Sequence, residues 1–407
     1  MNNKKIQRAF ACITIIAFIN ASHAHSAKTF SPIFIKKPVI NHDAAWTIVG
    51  AGPAGIITVG LLLDLGIPGS NITWIDPEFN VGRLGKYYES VTGNTKNKLF
   101  INFLLACKAF QECTSDSIDT LCNLDLEKEF PLGTIINPLK DITKLLMGKV
   151  KVAHGQLTSL EFNNNLWHVG VSTQQNSRLL FTSTHVVLAT GSHPRSLDYA
   201  CDHEISLDIA LNKEMLAQQV EPQDSIAVVG SSHSAILLLK FLSELKVKRI
   251  INFYKNPIQY SINMGTWLLH NANGLKGTTA EWAREVLEKN PPANLIRLHN
   301  TPESLQAWLP ICNKIIYAIG FERNELPPIN GQNEITYDDR SGIIAPRLFG
   351  IGIAFPEKYV DPLGNVEHRV GLNSFMDYAQ RIIPTWITKD IRSRLASFEQ
   401  LFTIDML

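Results

Sequence analysis

Residues 46–76 read WTIVGAGPAGIITVGLLLDLGIPGSNITWID. A short apolar run ending in Ile48 and Val49 passes through Gly50, Gly52 and Gly55, continues as an apolar helical pattern to about Leu65, and closes with a second strand-like run at Asp76. The order strand, glycine turn, helix, strand predicts a dinucleotide-binding unit. Gly50 makes the tight turn, Gly52 lets backbone N–H groups approach a pyrophosphate, and Gly55 lets helix and strand pack closely. Pro53 and Ala54 open the helix, whose positive dipole end faces the phosphates. Asp76 stands 21 positions after Gly55, the spacing at which a carboxylate can accept the ribose hydroxyls of an adenosine.

A second turn of the same kind lies at residues 225–242, SIAVVGSSHSAILLLKFL. Ile226 to Val229 form its strand. Gly230, Ser232 and Ala235 take the G-x-G-x-x-A positions, with Ser234 inside the turn. The next strand, Arg249 to Phe253, ends in Tyr254 and Lys255 with no acid at hand. A carboxylate there would repel a 2′-phosphate, whereas Lys255, with Lys248 or Arg249, can pair with one; NADPH is favoured over NADH. His233 is expected to bond locally or face solvent rather than act as a base.

Between the turns, Gln156 to Phe162, Leu166 to Val171 and Leu179 to Thr182 predict a β meander with turns at 163–165 and 174–176. A separate strand, Val186 to Leu188, then returns to the first sheet and ends in Ala189, Thr190 and Gly191. Beyond the second turn, Thr278 and Glu281 have capping-box spacing and predict a helix, placed on the outer surface. Lys314 to Ala318 is the exit strand. Leu348 to Ile351 is another strand, Gly352 a turn, and a helix is expected from near Asn373, with Pro384 dividing the tail into packing helices.

The segment after Asp76 carries a family resemblance. Tyr88, Ser90, Asn94, Lys96 and Phe100 resemble the motif of the flavin-containing monooxygenases, in which the asparagine sits beside the flavin and the nicotinamide; that residue here is Asn94. The bland alternative is an ordinary turn at Gly93 and Asn94. Disulfide reductases of similar build carry redox cysteines in this region, and none lies between Asp76 and Phe100. The resemblance implies an α/β fold of two Rossmann-like dinucleotide-binding domains: an FAD domain, 42–200 and 321–407, split by an inserted NAD(P)-binding domain, 201–320. It implies FAD and NADPH as cofactors, the Thr190 and Gly191 strand end as the crossing between domains, and Gly352 as the turn closing over the flavin. Hydride would pass to the flavin and oxygen to a soft nucleophile, an amine or thioether. The family's F-x-G-x-x-x-H linker is not evident before Gly230, which leaves open a reductase or dehydrogenase without oxygen transfer. A third alternative is an exported nucleotide-binding protein with no turnover.

Composition narrows the partners. The 407 residues are 45% hydrophobic with a formal net charge of +1, so nothing favours nucleic acid or an acidic membrane surface, and a small-molecule substrate with molecular oxygen is the expectation. Oligomeric state is left open. Lys4, Lys5 and Arg8 precede an apolar run from Ala9 to Ile19, then Ser22 and Ala24, the form of a signal peptide cleaved after Ala24. The chain is exported or periplasmic on that reading, and cytoplasmic if residues 1–24 are not processed; no integral membrane domain is expected. Past Cys12, five cysteines without CxxC spacing are expected to be mostly buried thiols, and no metal ligand set is evident.

Overall fold

The computed structural model describes residues 40–175 and 177–404. The signal-like segment 1–24 and the turn position 176 lie outside the described residues. In chain order the elements that build the site are β1 (Ile40–Val49), α1 (Pro53–Asp64), β2 (Ile72–Asp76), β3 (Thr92–Lys96), β4 (Glu129–Pro131), α2 (Gly133–Met147), β5 (Lys151–His154), β6 (Gln156–Asn163), β7 (Leu166–Ser172), β8 (Arg178–Leu188) and β9 (Ser192–Pro194). There follow β10 (Ser225–Val229), α3 (His233–Glu244), β11 (Arg249–Tyr254), α4 (Gly277–Trp282), β12 (Leu295–His299), β13 (Lys314–Tyr317) and β14 (Phe321–Arg323). The chain closes with β15 (Ile343–Ala345), β16 (Leu348–Gly350) and α5 (Leu372–Ile404).

Two sheets share one plan. The first runs β15-β16-β8-β1-β2-β5, parallel from β16 to β5, with β6 and β7 attached antiparallel to β8. The second runs β12-β11-β10-β13, all parallel. In each, the strand order reverses beside the strand that precedes a glycine turn, and such a reversal opens a crevice at the carboxyl ends of the strands. The sequence reads this way because parallel strands are covered on both faces: every residue of β2 and of β10 is buried. Helix α1 is apolar all round for the same reason. It packs against α2 and α5, and Ile56, Ile57, Val59 and Leu62 are fully buried, each contributing about 1.5–3 kcal/mol.

Three local expectations are corrected. The predicted strands at Leu179–Thr182 and Val186–Leu188 are one continuous strand, β8. The Ser183 hydroxyl donates to the His185 carbonyl and both residues are buried, so the polar stretch stays in the sheet. Pro384 does not divide the tail: α5 runs through it, with Ile382, Ile383 and Trp386 on either side buried, and the Thr385 hydroxyl donates to the Ile382 carbonyl. The helix near Thr278 begins at Gly277 with Lys276 as its cap residue and no side-chain cap, then loosens into a π turn at Ala283–Leu287. Of the five cysteines only Cys107 and Cys312 are buried; Cys122 is exposed.

The chain crosses between the sheets twice, at β9 and β14, and these two strands pair antiparallel, His193 opposite Glu322. Among the described residues no helix is long and apolar enough to cross a membrane.

Candidate active site

The first glycine turn is built as its spacing demands. Gly50 has φ +109°, and a Cβ there would stand 2.2 Å from the Ala189 carbonyl oxygen, so glycine is required both for the turn and for the contact with the end of β8. Gly52 caps α1 in extended conformation with Pro53 as the first helical residue. No side chain caps this helix and no acid lies in its first turn, so its N–H groups and dipole are left for an anion. Gly55 packs against the Gly50 carbonyl, and Gly352 (φ +84°) seats the segment after β16 against Ala54 in the first turn of α1.

Asp76 is buried. Its Oδ2 accepts Ala51 N–H at 2.7 Å, and its Oδ1 accepts Glu78 and Phe79 N–H at 2.8 and 2.7 Å. A carboxylate has about four acceptor positions, so its first task is to hold the turn against the loop after β2, with room for about one ribose hydroxyl rather than two.

A cavity of about 680 Å³ opens from this turn. Gly50, Gly52, Pro53, Asp76, Thr190 and Gly191 line it, and so does Asn94, from β3. Asn94 lies within a strand and has no positive φ, so the alternative of a simple turn is not what forms there. The far wall is apolar, with Phe100, Leu132, Ile135 and Phe375. Thr190 Oγ1 is buried with no hydrogen-bond partner. That orphaned hydroxyl, the open helix N-terminus and the glycine cradle are what a bound dinucleotide would satisfy, so the residues fit FAD.

The second turn is similar in shape. Gly230 has φ +135°, and a Cβ would meet the Ala318 carbonyl oxygen at 2.3 Å. Ser232 caps α3 without using its side chain, the helix starts two residues before Ala235, and its first turn, with Ser234, holds no acid. Lys255 is exposed just beyond β11. None of Gly230, Ser232, Ser234, Ala235 and Lys255 lines the 680 Å³ cavity. His233, expected to bond locally or face solvent, is half-buried, with Nε2 at 3.4 Å from Thr279 Oγ1 and Nδ1 unpartnered. Burial, with Lys276 nearby, pushes its pKa down to about 4.

Contacts across the two halves were not foreseen. Arg83, a cavity residue, donates from Nε to the Ser192 carbonyl at 3.0 Å and from Nη1 to Asp208 Oδ2 at 2.6 Å. Tyr88, also lining the cavity, donates to Asp208 Oδ1 at 2.5 Å. Burial and that bond push its phenol well above the usual range. Asn324 spans the crossing: its Nδ2 donates to the Thr190 carbonyl at 2.8 Å, and its Oδ1 meets His193 Nδ1 at 3.1 Å. Helix α4 corrects the outer-surface placement. It packs on β3, and the Glu129 carboxylate of β4 lies against Gly277 at its start, where burial pushes the carboxyl pKa up. The local Thr278–Glu281 capping box does not form, and the acid nearest the helix start, Glu129, comes from the other half of the molecule.

Fold and site together define a two-dinucleotide-domain flavoprotein. No family model matches the chain. It is 32% identical over 385 residues to monooxygenase AgnR1 of Paecilomyces divaricatus, with 84% of this chain and 98% of AgnR1 covered. The chain belongs to that monooxygenase family, within the FAD/NAD(P)-binding class, and is an oxidoreductase. Solved structures of similar fold include the bacillithiol disulfide reductase of Bacillus cereus, 13% identical, TM-score 0.54, covering 86% of this chain and 100% of that one. The ornithine N-hydroxylase KtzI of Kutzneria sp. 744 is 12% identical, TM-score 0.54, covering 86% and 100%. The cadaverine monooxygenase DfoA of Erwinia amylovora is 14% identical, TM-score 0.54, covering 76% and 88%.

Proposed function

We propose that this chain is an FAD-dependent, NADPH-using monooxygenase acting on a small nucleophilic substrate that carries nitrogen or sulfur. Residues 42–200 with 321–407 would hold FAD and residues 201–320 the nicotinamide dinucleotide. The observation that carries the reading is the placing of Asn94 and the glycine turn on one cavity, with a buried unpartnered threonine hydroxyl between the sheets. KtzI and DfoA are named for the oxidation of amines, which supports the nitrogen class.

FAD, when bound, supplies the hydride acceptor and the site of oxygen activation. The chain does the rest. The N-terminus of α1 would hold the pyrophosphate, Asp76 would offer one acceptor to the ribose, and Thr190 would offer its hydroxyl to the ligand. The Asn94 amide supplies fixed donors and an acceptor where charge develops, and the wall of Phe100, Leu132, Ile135 and Phe375 keeps water out. An exported location belongs to the same proposal and rests on residues 1–24 alone; sequencing the N-terminus of the protein recovered from cells tests it.

The activity test follows NADPH oxidation, oxygen uptake and oxygenated product against a panel of primary amines and thioethers, with wild type and Asn94→Ala. The expected result is substrate-dependent product in wild type. In the variant, product should fall at least about 10-fold while NADPH oxidation continues and hydrogen peroxide rises. Oxidation of NADPH with no oxygenated product on any nucleophile would replace this reading with a reductase.

A further inference from the structure

The second sheet contains a cation that no carboxylate among the described residues pairs with. Arg297 lies on β12 directly across from Asn252 of β11. Its Nε donates to Asn252 Oδ1 at 3.0 Å, and Asn252 Nδ2 in turn donates to the Gly230 carbonyl at 2.8 Å and the Val228 carbonyl at 3.0 Å. Asn252 is wholly buried, so this is a fixed strut from the glycine turn to the guanidinium. The guanidinium carbon stands 4.7 Å from the centre of the Tyr254 ring, the last residue of β11. Glu288, whose charge reaches it, is engaged by the Tyr260 hydroxyl at 2.6 Å. Both terminal nitrogens of Arg297 are without a hydrogen bond among the described residues, and Nη2 is buried.

That position has a counterpart in the first sheet. There the strand after the glycine turn ends in Asp76, whose carboxylate accepts the Ala51 N–H of the turn. Here the corresponding strand ends in Tyr254, with no acid, and the neighbouring strand sends in a guanidinium. A half-buried charge without an anion is costly unless a ligand supplies one, and a guanidinium with two free terminal nitrogens matches the oxygens of a phosphate monoester in a bidentate pair.

We propose that Arg297 is the residue that selects NADPH over NADH, binding the 2′-phosphate through its terminal nitrogens, with exposed Lys255 as a minor, screened partner. The proposal rests on reading the second sheet as the nicotinamide-dinucleotide domain. It moves the specificity from the residue just past the strand to one on the adjacent strand, held in place through Asn252.

The test is binding of NADP⁺, NAD⁺ and 2′-AMP to the flavin-loaded full chain by calorimetry, for wild type, Arg297→Gln, Arg297→Lys and Lys255→Ala. Arg297→Gln should weaken NADP⁺ by about 10- to 100-fold and leave NAD⁺ within about 2-fold. Arg297→Lys, which keeps the charge and guards against a folding defect, should recover part of the preference. Lys255→Ala should weaken NADP⁺ by no more than about 3-fold. An equal loss of NADP⁺ and NAD⁺ would make Arg297 only a brace for the turn and overturn the proposal, as would NADP⁺ binding unchanged in Arg297→Gln. If wild type binds neither NADP⁺ nor NAD⁺, the nicotinamide reading of the domain itself falls, and this inference with it.

Discussion

Trp74 and Asn252 make the same bond in the two halves of the molecule. Each stands two residues before the end of the strand that follows a glycine turn, and each donates a side-chain N–H to the carbonyl of the turn's first glycine: 2.9 Å from Trp74 Nε1 to Gly50 O, 2.8 Å from Asn252 Nδ2 to Gly230 O. Both residues are fully buried. The carbonyl of a glycine at positive φ points away from the sheet ladder, and in a dry interior it needs a donor.

Trp74→Phe keeps most of the apolar volume and removes that donor. It should destabilise the flavin half by about 1–3 kcal/mol and lower flavin retention, read by flavin fluorescence during a thermal ramp. Asn252→Leu should leave flavin release near its wild-type temperature and weaken dinucleotide binding instead. Matching flavin-release curves for Trp74→Phe and wild type would show that the bond has no part in holding the turn.

His233 gives stability a pH dependence. Its folded pKa of about 4 lies below the ordinary histidine value of 6.5, so on acidification the unfolded chain takes up the proton first. The stabilisation is complete above about pH 6.5 and is lost as pH falls through about 4, amounting to about 3 kcal/mol at most. His233→Gln should flatten the fall in melting temperature between pH 7 and pH 4 by that contribution. A variant whose profile stays parallel to wild type would mean that other groups govern acid unfolding.

Gly277 joins the halves. It has φ +54°, and a Cβ would stand 1.9 Å from Glu129 Oε2. Gly277→Ala should therefore cost more than the ordinary 1 kcal/mol or so of a left-handed alanine, because the carboxylate must also leave the N-terminus of α4. In the Glu129→Ala background the same substitution should cost less, and a double-mutant cycle measures the difference. A coupling energy of zero would separate the two residues.

Legibility followed chemistry that is local in the chain. The two turns could be read because glycine at fixed spacing, an apolar strand before it and an apolar helix after it all lie within about thirty residues. Asp76 stood out by its spacing, but its three backbone partners could not be seen, because they depend on how the loop after β2 folds back. Arg83, Tyr88 and Asp208 were invisible as a set: Asp208 comes 120 and more positions after the residues it holds. The placement of α4 failed for the same reason, since what it packs against, β3 and Glu129, lies far from it in sequence. Asn252 did leave a trace, a lone amide inside the apolar run IINFY. A polar residue in a fully covered strand must have a partner, and that signal could have led to Gly230 and then to Arg297.

The pairing of β9 with β14 brings the two chain crossings between the sheets side by side. Both ends of a segment of more than a hundred residues leave and rejoin the first half as adjacent strands of one ribbon, His193 facing Glu322. Arg83 and Tyr88 on Asp208, and Glu129 against Gly277, fasten the same segment at further points. It is also a body that can be gained or lost at one locus, because bridging Pro194 to Phe321 would need only the turn of a hairpin.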